Sequence, residues 1–147
     1  MRKSGPSPEL RRTSDYASMV ALGRRAGLET STLTKVLAAF GYYLGEELVG
    51  CACLREVEGV FTVECLAVAD SSRGQGLGSS LVHAVEDEAR SRGVERLWAV
   101  ARRPGFFVRN GYTRTSGKEP GGPTLDDCSR CQQYLKGCDP AIVVKDL

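Results

Sequence analysis

Glu64-Cys-Leu-Ala-Val-Ala-Asp-Ser-Ser-Arg73-Gly-Gln-Gly-Leu-Gly78-Ser-Ser-Leu-Val82 decides how this chain folds. An apolar strand runs into a loop with one arginine and glycines at 74, 76 and 78, and the loop runs directly into an amphipathic helix. Glycine lets a backbone turn tightly and approach a ligand with no Cβ in the way. The free N–H groups of a helix's first turn point at an anion, and the helix dipole adds to the attraction. The layout is therefore that of a pyrophosphate pocket.

Three glycine-rich anion loops compete for this reading. A P-loop ends in Gly-Lys-Ser/Thr, and no such tripeptide occurs here. A dinucleotide fingerprint needs G-x-G-x-x-G early in a βαβ unit. Here the third glycine would fall at Ser79, and half the chain lies upstream. The spacing Arg73-x-x-Gly76-x-Gly78 instead resembles the Q/R-x-x-G-x-G/A acetyl-coenzyme A loop of the GNAT N-acyltransferase superfamily. Val68 stands before Arg73 as in that family's V-x-P-x-x-R, with Asp70 in place of the proline. The resemblance runs from about residue 9 to residue 147.

Composition bounds the rest. The 147 residues suit one domain, expected over 9–147 behind a disordered tail over 1–8. With 41% hydrophobic and 26% charged residues, a soluble globular protein is expected. A net charge of +2 is too small to argue for nucleic acid or an acidic membrane surface. The start Met-Arg-Lys-Ser-Gly-Pro-Ser-Pro has no apolar core behind its basic residues, so it does not read as a secretory signal. No apolar run approaches the ~20 residues of a membrane span. A cytoplasmic protein with reduced thiols is the expectation.

Along the chain, a strand is expected over 9–12 and a helix over 15–26 capped by Ser14. A second helical stretch is expected over 31–36. Three strands follow as a meander, over 39–44, 48–55 and 60–69, turning at Gly45 and near Gly59. Such short turns imply antiparallel neighbours. A helix over 77–92 buries Leu77, Leu81, Val85 and Ala89 and stops at Gly93. A strand over 97–101 is parallel to the strand before that helix. A short helix over 105–110, a strand over 112–115, a Gly/Pro-rich loop over 116–123 and a last strand over 141–147 complete the chain. The fold class is α/β, with a mixed, mostly antiparallel central sheet flanked by helices. That order also matches the fold the resemblance implies.

The resemblance implies roles for particular residues. Arg73, Gly74, Gln75, Gly76, Leu77, Gly78 and Ser79 would hold the pyrophosphate of acetyl-CoA. The backbone of Leu66, Ala67 and Val68 would pair with the pantetheine arm like an added strand. One N–H there would polarise the thioester carbonyl, a donation worth ~3 kcal/mol in a transition state. Glu64 stands where many members carry the general base that deprotonates the amine. Period-2 alternation puts Glu64 on one strand face with Thr62, Leu66 and Val68. Among apolar neighbours its pKa is expected to rise, which suits a base. A rim glutamate paired across strands is the plainer alternative. Many members also carry F-Y-x-x-x-G-F/Y, whose tyrosine protonates the departing thiolate. Here Phe106-Phe107-Val-Arg-Asn-Gly111-Tyr112 puts Phe107 in the tyrosine's place. Thiols have a pKa near ~8.5, so a thiolate leaves without much acid help. Phe106 and Phe107 are then expected to pack the sheet and the pantetheine arm, with Phe107 counted among the cofactor-binding residues.

That double phenylalanine and the Lys145-Asp-Leu147 ending also resemble the acetyltransferase domain of N-acetylglutamate synthases. An amino-acid acceptor follows from that likeness, with Arg102 and Arg103 as cations for its carboxylate. Surface arginines or phosphate partners are the alternative for both.

Cys128-x-x-Cys131 followed by Cys138 fits an incomplete zinc site, with Asp127, Asp139 or another cysteine as fourth ligand. A redox pair and plain free thiols are the alternatives. Cys51, Cys53 and Cys65 lie within strands and read as small apolar residues.

The functional expectation is an acetyl-CoA-dependent N-acetyltransferase acting on a small-molecule amine. A catalytically impaired acyl-CoA-binding domain and a protein or peptide amine acetyltransferase are the alternatives. A homodimer is left open.

Overall fold

The computed structural model describes residues 7–28, 33–116, 120–123 and 141–147. Among the described residues seven strands form one sheet. Strands β1 (Glu9–Arg12), β2 (Val36–Leu44), β3 (Glu47–Val57) and β4 (Val60–Val68) are an antiparallel meander. Helix α2 (Leu77–Ser91) then crosses to β5 (Arg96–Ala101), parallel to β4. Helix α3 (Pro104–Arg109) and the two-residue β6 (Thr113–Arg114) precede β7 (Ala141–Asp146). Strand β7 lies between β5 and β6, antiparallel to both. This is the expected mixed, mostly antiparallel sheet flanked by helices.

The two faces of the sheet bury different clusters. Leu81, Val82, Val85 and Ala89 of α2 pack on Ala52, Leu54, Val63, Leu97 and Ala99. Helix α1 (Tyr16–Arg25) covers the other face, with Met19 and Leu22 against Ala39, Cys51, Cys53 and Ala67. Alternate residues of β3 thus serve opposite clusters, as the pleat of a strand requires.

Two local expectations are corrected. The α1 N-cap is Asp15, not Ser14: its Oδ1 accepts from Ser18 N at 3.2 Å and its Oδ2 from Ser18 Oγ at 2.7 Å. No helix occupies the described part of 31–36. Lys35 takes a left-handed φ of 57°, and the β-branched Val36 opens β2 opposite Arg55. Of the expected tail, residues 1–6 lie outside the described residues. Among the described residues no helix is long and apolar enough to cross a membrane.

Candidate functional site

Strand β4 changes character halfway along. Its ladder with β5 carries one register pair, Thr62 opposite Trp98. From Glu64 to Val68 it runs on with no register partner in β5. On the other side, Cys53 faces Glu64 but Cys51 faces Ala67. Two residues of β4, Cys65 and Leu66, therefore oppose the single Ala52, which is a β-bulge. Cys65 takes a left-handed φ of 55° there. A bulge bends its strand and increases the local twist, so it parts β4 from β5. The result is a strand edge with main-chain groups facing a gap, immediately before the glycine loop.

The bulge also corrects the alternation expected from sequence. Leu66 and Val68 pack toward α2, whereas Cys65, Ala67 and Ala69 pack toward α1. Glu64 faces its register partner Cys53 on the α1 side and is hydrogen-bonded by Thr62, so Leu66 and Val68 lie on the opposite face. Nor is Glu64 set among apolar groups. Arg55 Nη1 donates to its Oε2 at 2.9 Å and Thr62 Oγ1 donates to the same oxygen at 3.1 Å. The side chain is 37% exposed. Among the described residues Oε1 has no hydrogen-bond partner. Arg55 is itself fixed by Thr34, whose carbonyl accepts from Nε at 2.7 Å.

The loop after β4 begins with a 3₁₀ turn at Asp70–Ser72. Arg73 folds back on it: Nε donates to Val68 O at 3.2 Å and Nη2 pairs with Asp70 at 3.3 Å. The arginine therefore braces the end of β4 against the loop. Gly76 is the N-cap of α2, with φ of 76°, and no side chain caps the helix. The first intrahelical bond is Ser80 N to Gly76 O at 3.1 Å. The N–H groups of Leu77, Gly78 and Ser79 are the orphan donors ahead of it. A Cβ at Gly78 would rest in ordinary contact with the Phe106 ring at 3.4 Å and Val68 at 3.9 Å, so these two side chains border the helix start. An uncapped helix start beside a strand edge that β5 does not cover fits an extended ligand that carries a pyrophosphate.

The two phenylalanines divide the expected roles, and the placement of Phe107 at the cofactor is corrected. Phe107 is 7% exposed and sits in the core, edge-on to Phe106 and to Tyr112 at 5.2 and 5.1 Å between ring centroids. Phe106, less buried, is the ring that reaches the glycine loop. Both are apolar and adjacent on a six-residue helix, so the sequence holds no signal that separates them. Tyr112 does not replace the absent tyrosine hydroxyl. Its OH donates to Glu86 Oε2 at 2.8 Å in a buried setting, and burial, reinforced by that carboxylate, pushes its pKa well up.

On β5, Trp98 and Val100 alternate with the α2-facing Leu97, Ala99 and Ala101. Val100 is 37% exposed, which leaves an apolar spot on the Glu64 side of the sheet. Arg102 follows it and donates to Gly27 O at 2.7 Å, tying the end of β5 to the end of α1. Arg103 is exposed at the N-cap of α3. Arg102 therefore borders the same face as Glu64, with one nitrogen already engaged. Two shallow hollows of about 330 and 400 Å³ lie elsewhere, around Trp98, Arg96 and the far ends of the strands. Neither is lined by Glu64 or the glycine loop. Among the described residues no group of three or more candidate ligands could hold a metal ion. The zinc expectation at Cys128, Cys131 and Cys138 lies outside the described residues. Sequence reasoning missed Arg55, because it acts through a contact set by the fold.

Known proteins resemble this chain in sequence and in fold. An uncharacterized N-acetyltransferase of Chlorobaculum tepidum is 28% identical over 105 residues, which is 71% of this chain and 67% of the relative. N-acetylglutamate synthase from Neisseria gonorrhoeae, complexed with coenzyme A and N-acetyl-glutamate, superposes with a TM-score of 0.73 at 24% identity. That match covers 98% of this chain and 36% of the synthase, so the chain spans about a third of that protein's length. A Bacillus subtilis acetyltransferase in complex with CoA has a TM-score of 0.73 at 14% identity, covering 96% of this chain and 99% of its own. At these identities the two structures speak for the fold alone. The sequence model of the acetyltransferase (GNAT) family matches residues 13–114, from before α1 to the end of β6, and the chain belongs to that family.

Proposed function

We propose that the chain transfers an acetyl group from acetyl-CoA to the amine of a small molecule, with an amino acid as the acceptor class. The observation that carries this reading is the bare edge of β4 from Glu64 to Val68, opened by the bulge and followed by the uncapped start of α2. Acetyl-CoA supplies the activated thioester. The N–H groups of Leu77, Gly78 and Ser79 bind its pyrophosphate, and the edge of β4 over Leu66, Ala67 and Val68 aligns its pantetheine arm. An N–H of that edge donates to the thioester carbonyl, a contact worth ~3 kcal/mol once oxyanion character develops.

Glu64 takes the proton from the acceptor amine through Oε1, directly or through one water. Arg55 and Thr62 hold the other oxygen and so orient the carboxylate. An acceptor entering from the α1 face meets Glu64, the exposed Val100 and Arg102 together. Arg102 and Arg103 are the cations available there for an acceptor carboxylate. Phe107 supplies no proton, and the thiol leaves as thiolate.

The test is turnover by Glu64→Gln across a panel of amines, read as free thiol released. Turnover should fall about a hundredfold at neutral pH, within the range for a lost general base, while acetyl-CoA affinity holds. The loss should shrink at high pH, where an α-amine of pKa ~8 is already neutral. Full activity of the variant at neutral pH removes Glu64 from the mechanism. Tight acetyl-CoA binding with no turnover on any amine favours an impaired binding domain instead.

A further inference from the structure

The α1 face of the sheet carries three thiols that the transfer chemistry does not use. Cys51 and Cys53 on β3 are fully buried, and Cys65 on β4 is partly exposed. The bulge is what makes them neighbours. In a regular strand, residue 65 would alternate with Glu64 and face α2. The extra residue turns its thiol to the α1 side, where Cys51 lies.

Cys51 Sγ donates to Cys65 O at 3.2 Å, and both thiols approach Met19 O, at 4.0 and 3.6 Å. Contact with Cys65 raises the pKa of Cys51, which burial raises further, and the same contact lowers that of Cys65. Cys53, held apart from this contact, is pushed up to about 12 by burial. The three thiols are thus unequal. One is reachable and inclined to ionise, one is buried and in contact with it, and one is inert.

We propose that Cys51 and Cys65 form a redox pair that hydrogen peroxide closes to a disulfide. The Cys65 thiolate attacks one peroxide oxygen, the O–O bond breaks, and Cys65 becomes a sulfenic acid as hydroxide leaves. The Cys51 thiol then attacks the Cys65 sulfur, an S–S bond forms and water departs with the thiol proton. Two thiols lose two electrons, and one peroxide is reduced to two waters. Cys65 lies between Glu64 and the strand edge at Leu66. Closing the bond removes both thiol donors and refixes the bulge against β3, so it slows acetyl transfer. That consequence alone rests on the proposed function.

The test uses the reduced full chain and one equivalent of peroxide, followed by alkylation and tryptic mapping. Trypsin separates residues 36–55, which hold Cys51 and Cys53, from residues 56–73, which hold Cys65. The expected product joins these two peptides with a loss of two hydrogens, about 2 Da. It should persist in Cys53→Ala and vanish in both Cys51→Ala and Cys65→Ala. Dithiothreitol should reverse it. A Cys65 that stays free, stops at an unpaired oxidised form, or pairs with Cys128, Cys131 or Cys138 overturns the pair. A joined pair that leaves the rate of an active chain unchanged overturns the brake. A reduced chain that transfers nothing yet still joins Cys51 to Cys65 upholds the pair and places the failure on the proposed function.

Discussion

Helix α2 handles its polar groups in opposite ways at two places along its length. At its start, Leu77, Gly78 and Ser79 offer N–H groups that no side chain caps, beside a strand edge that β5 does not cover. Farther along, Glu86 is 2% exposed and fully engaged. Tyr112 OH donates to its Oε2 at 2.8 Å, and Lys145 Nζ donates to both oxygens at 3.2 Å. Lys145 also donates to Asn110 O at 3.1 Å and lies over the Tyr112 ring. Among the described residues no buried side-chain nitrogen or oxygen lacks a partner. The described residues therefore satisfy their buried side-chain polar groups, as burial demands. At the mouth of the candidate site the helix leaves main-chain donors uncapped. The closed knot joins α2, the end of α3 and β7, while the open start faces a ligand. Stability and binding should then separate along one helix.

The sharpest way to break that separation is Glu86→Ala. It removes the carboxylate but leaves the Lys145 ammonium, 22% exposed, and the buried Tyr112 hydroxyl without it. Breaking one side of a buried pair costs about 3–5 kcal/mol, because the remaining groups stay desolvated. Urea unfolding should show that loss, and calorimetry on the folded variant should show acetyl-CoA affinity close to that of the parent. A variant of parental stability with weakened binding would mean the knot belongs to the site.

The converse substitution is Gly76→Val at the open start. A β-branched residue at φ 76° costs roughly 1–2 kcal/mol of stability. Its Cβ meets nothing within 4 Å, so the fold has room for it. That same open space is where a pyrophosphate must approach the backbone. Acetyl-CoA affinity should fall by at least tenfold, about 1.4 kcal/mol. Unchanged affinity would detach the glycine loop from the ligand.

How far each region was legible follows from where its information lies. The glycine loop is contiguous, so residues 73–79 could be read directly, and the turns at Gly45 and Gly59 announced the meander. The apolar stripe Leu77, Leu81, Val85 and Ala89 is buried as its spacing predicts. The closed knot was not legible. Glu86, Tyr112 and Lys145 are far apart in sequence, and each alone resembles a surface residue or a spare hydroxyl. The bulge was hidden for a related reason. It is a mismatch of register between β3 and β4, and neither strand records it locally. Cys65 is not a residue that advertises a left-handed φ. That one hidden residue moved Glu64 to the opposite face from Leu66 and Val68. The Arg55 guanidinium, fixed by Thr34, reaches Glu64 through the regular register before the bulge, where Arg55 faces Thr62 and Cys53 faces Glu64, a cross-strand contact that neither strand records alone.

Glu88, on the same helix, is the intermediate case and gives the smallest effect. Its side chain is 13% exposed, but its partners are looser: Arg12 from β1 is 58% exposed and Arg92 is 38% exposed. The Arg12 hydrogen bond, helped by Arg92, holds the Glu88 pKa below its ordinary 4.5. A carboxyl whose pKa is lower folded than unfolded binds fewer protons when folded. Its contribution is therefore complete above the unfolded pKa and is lost as pH falls through the folded one. Glu88→Gln should cost about 0.5–1 kcal/mol near neutral pH, the scale of a solvent-screened pair. The difference from the parent should begin to close as pH drops below 4.5 and should narrow in high salt, which screens exposed charges. Urea midpoints of both chains across that range decide it. A gap that stays constant into acid would mean that Glu88 acts by packing, and the gradation from closed knot to open start would lose its middle term.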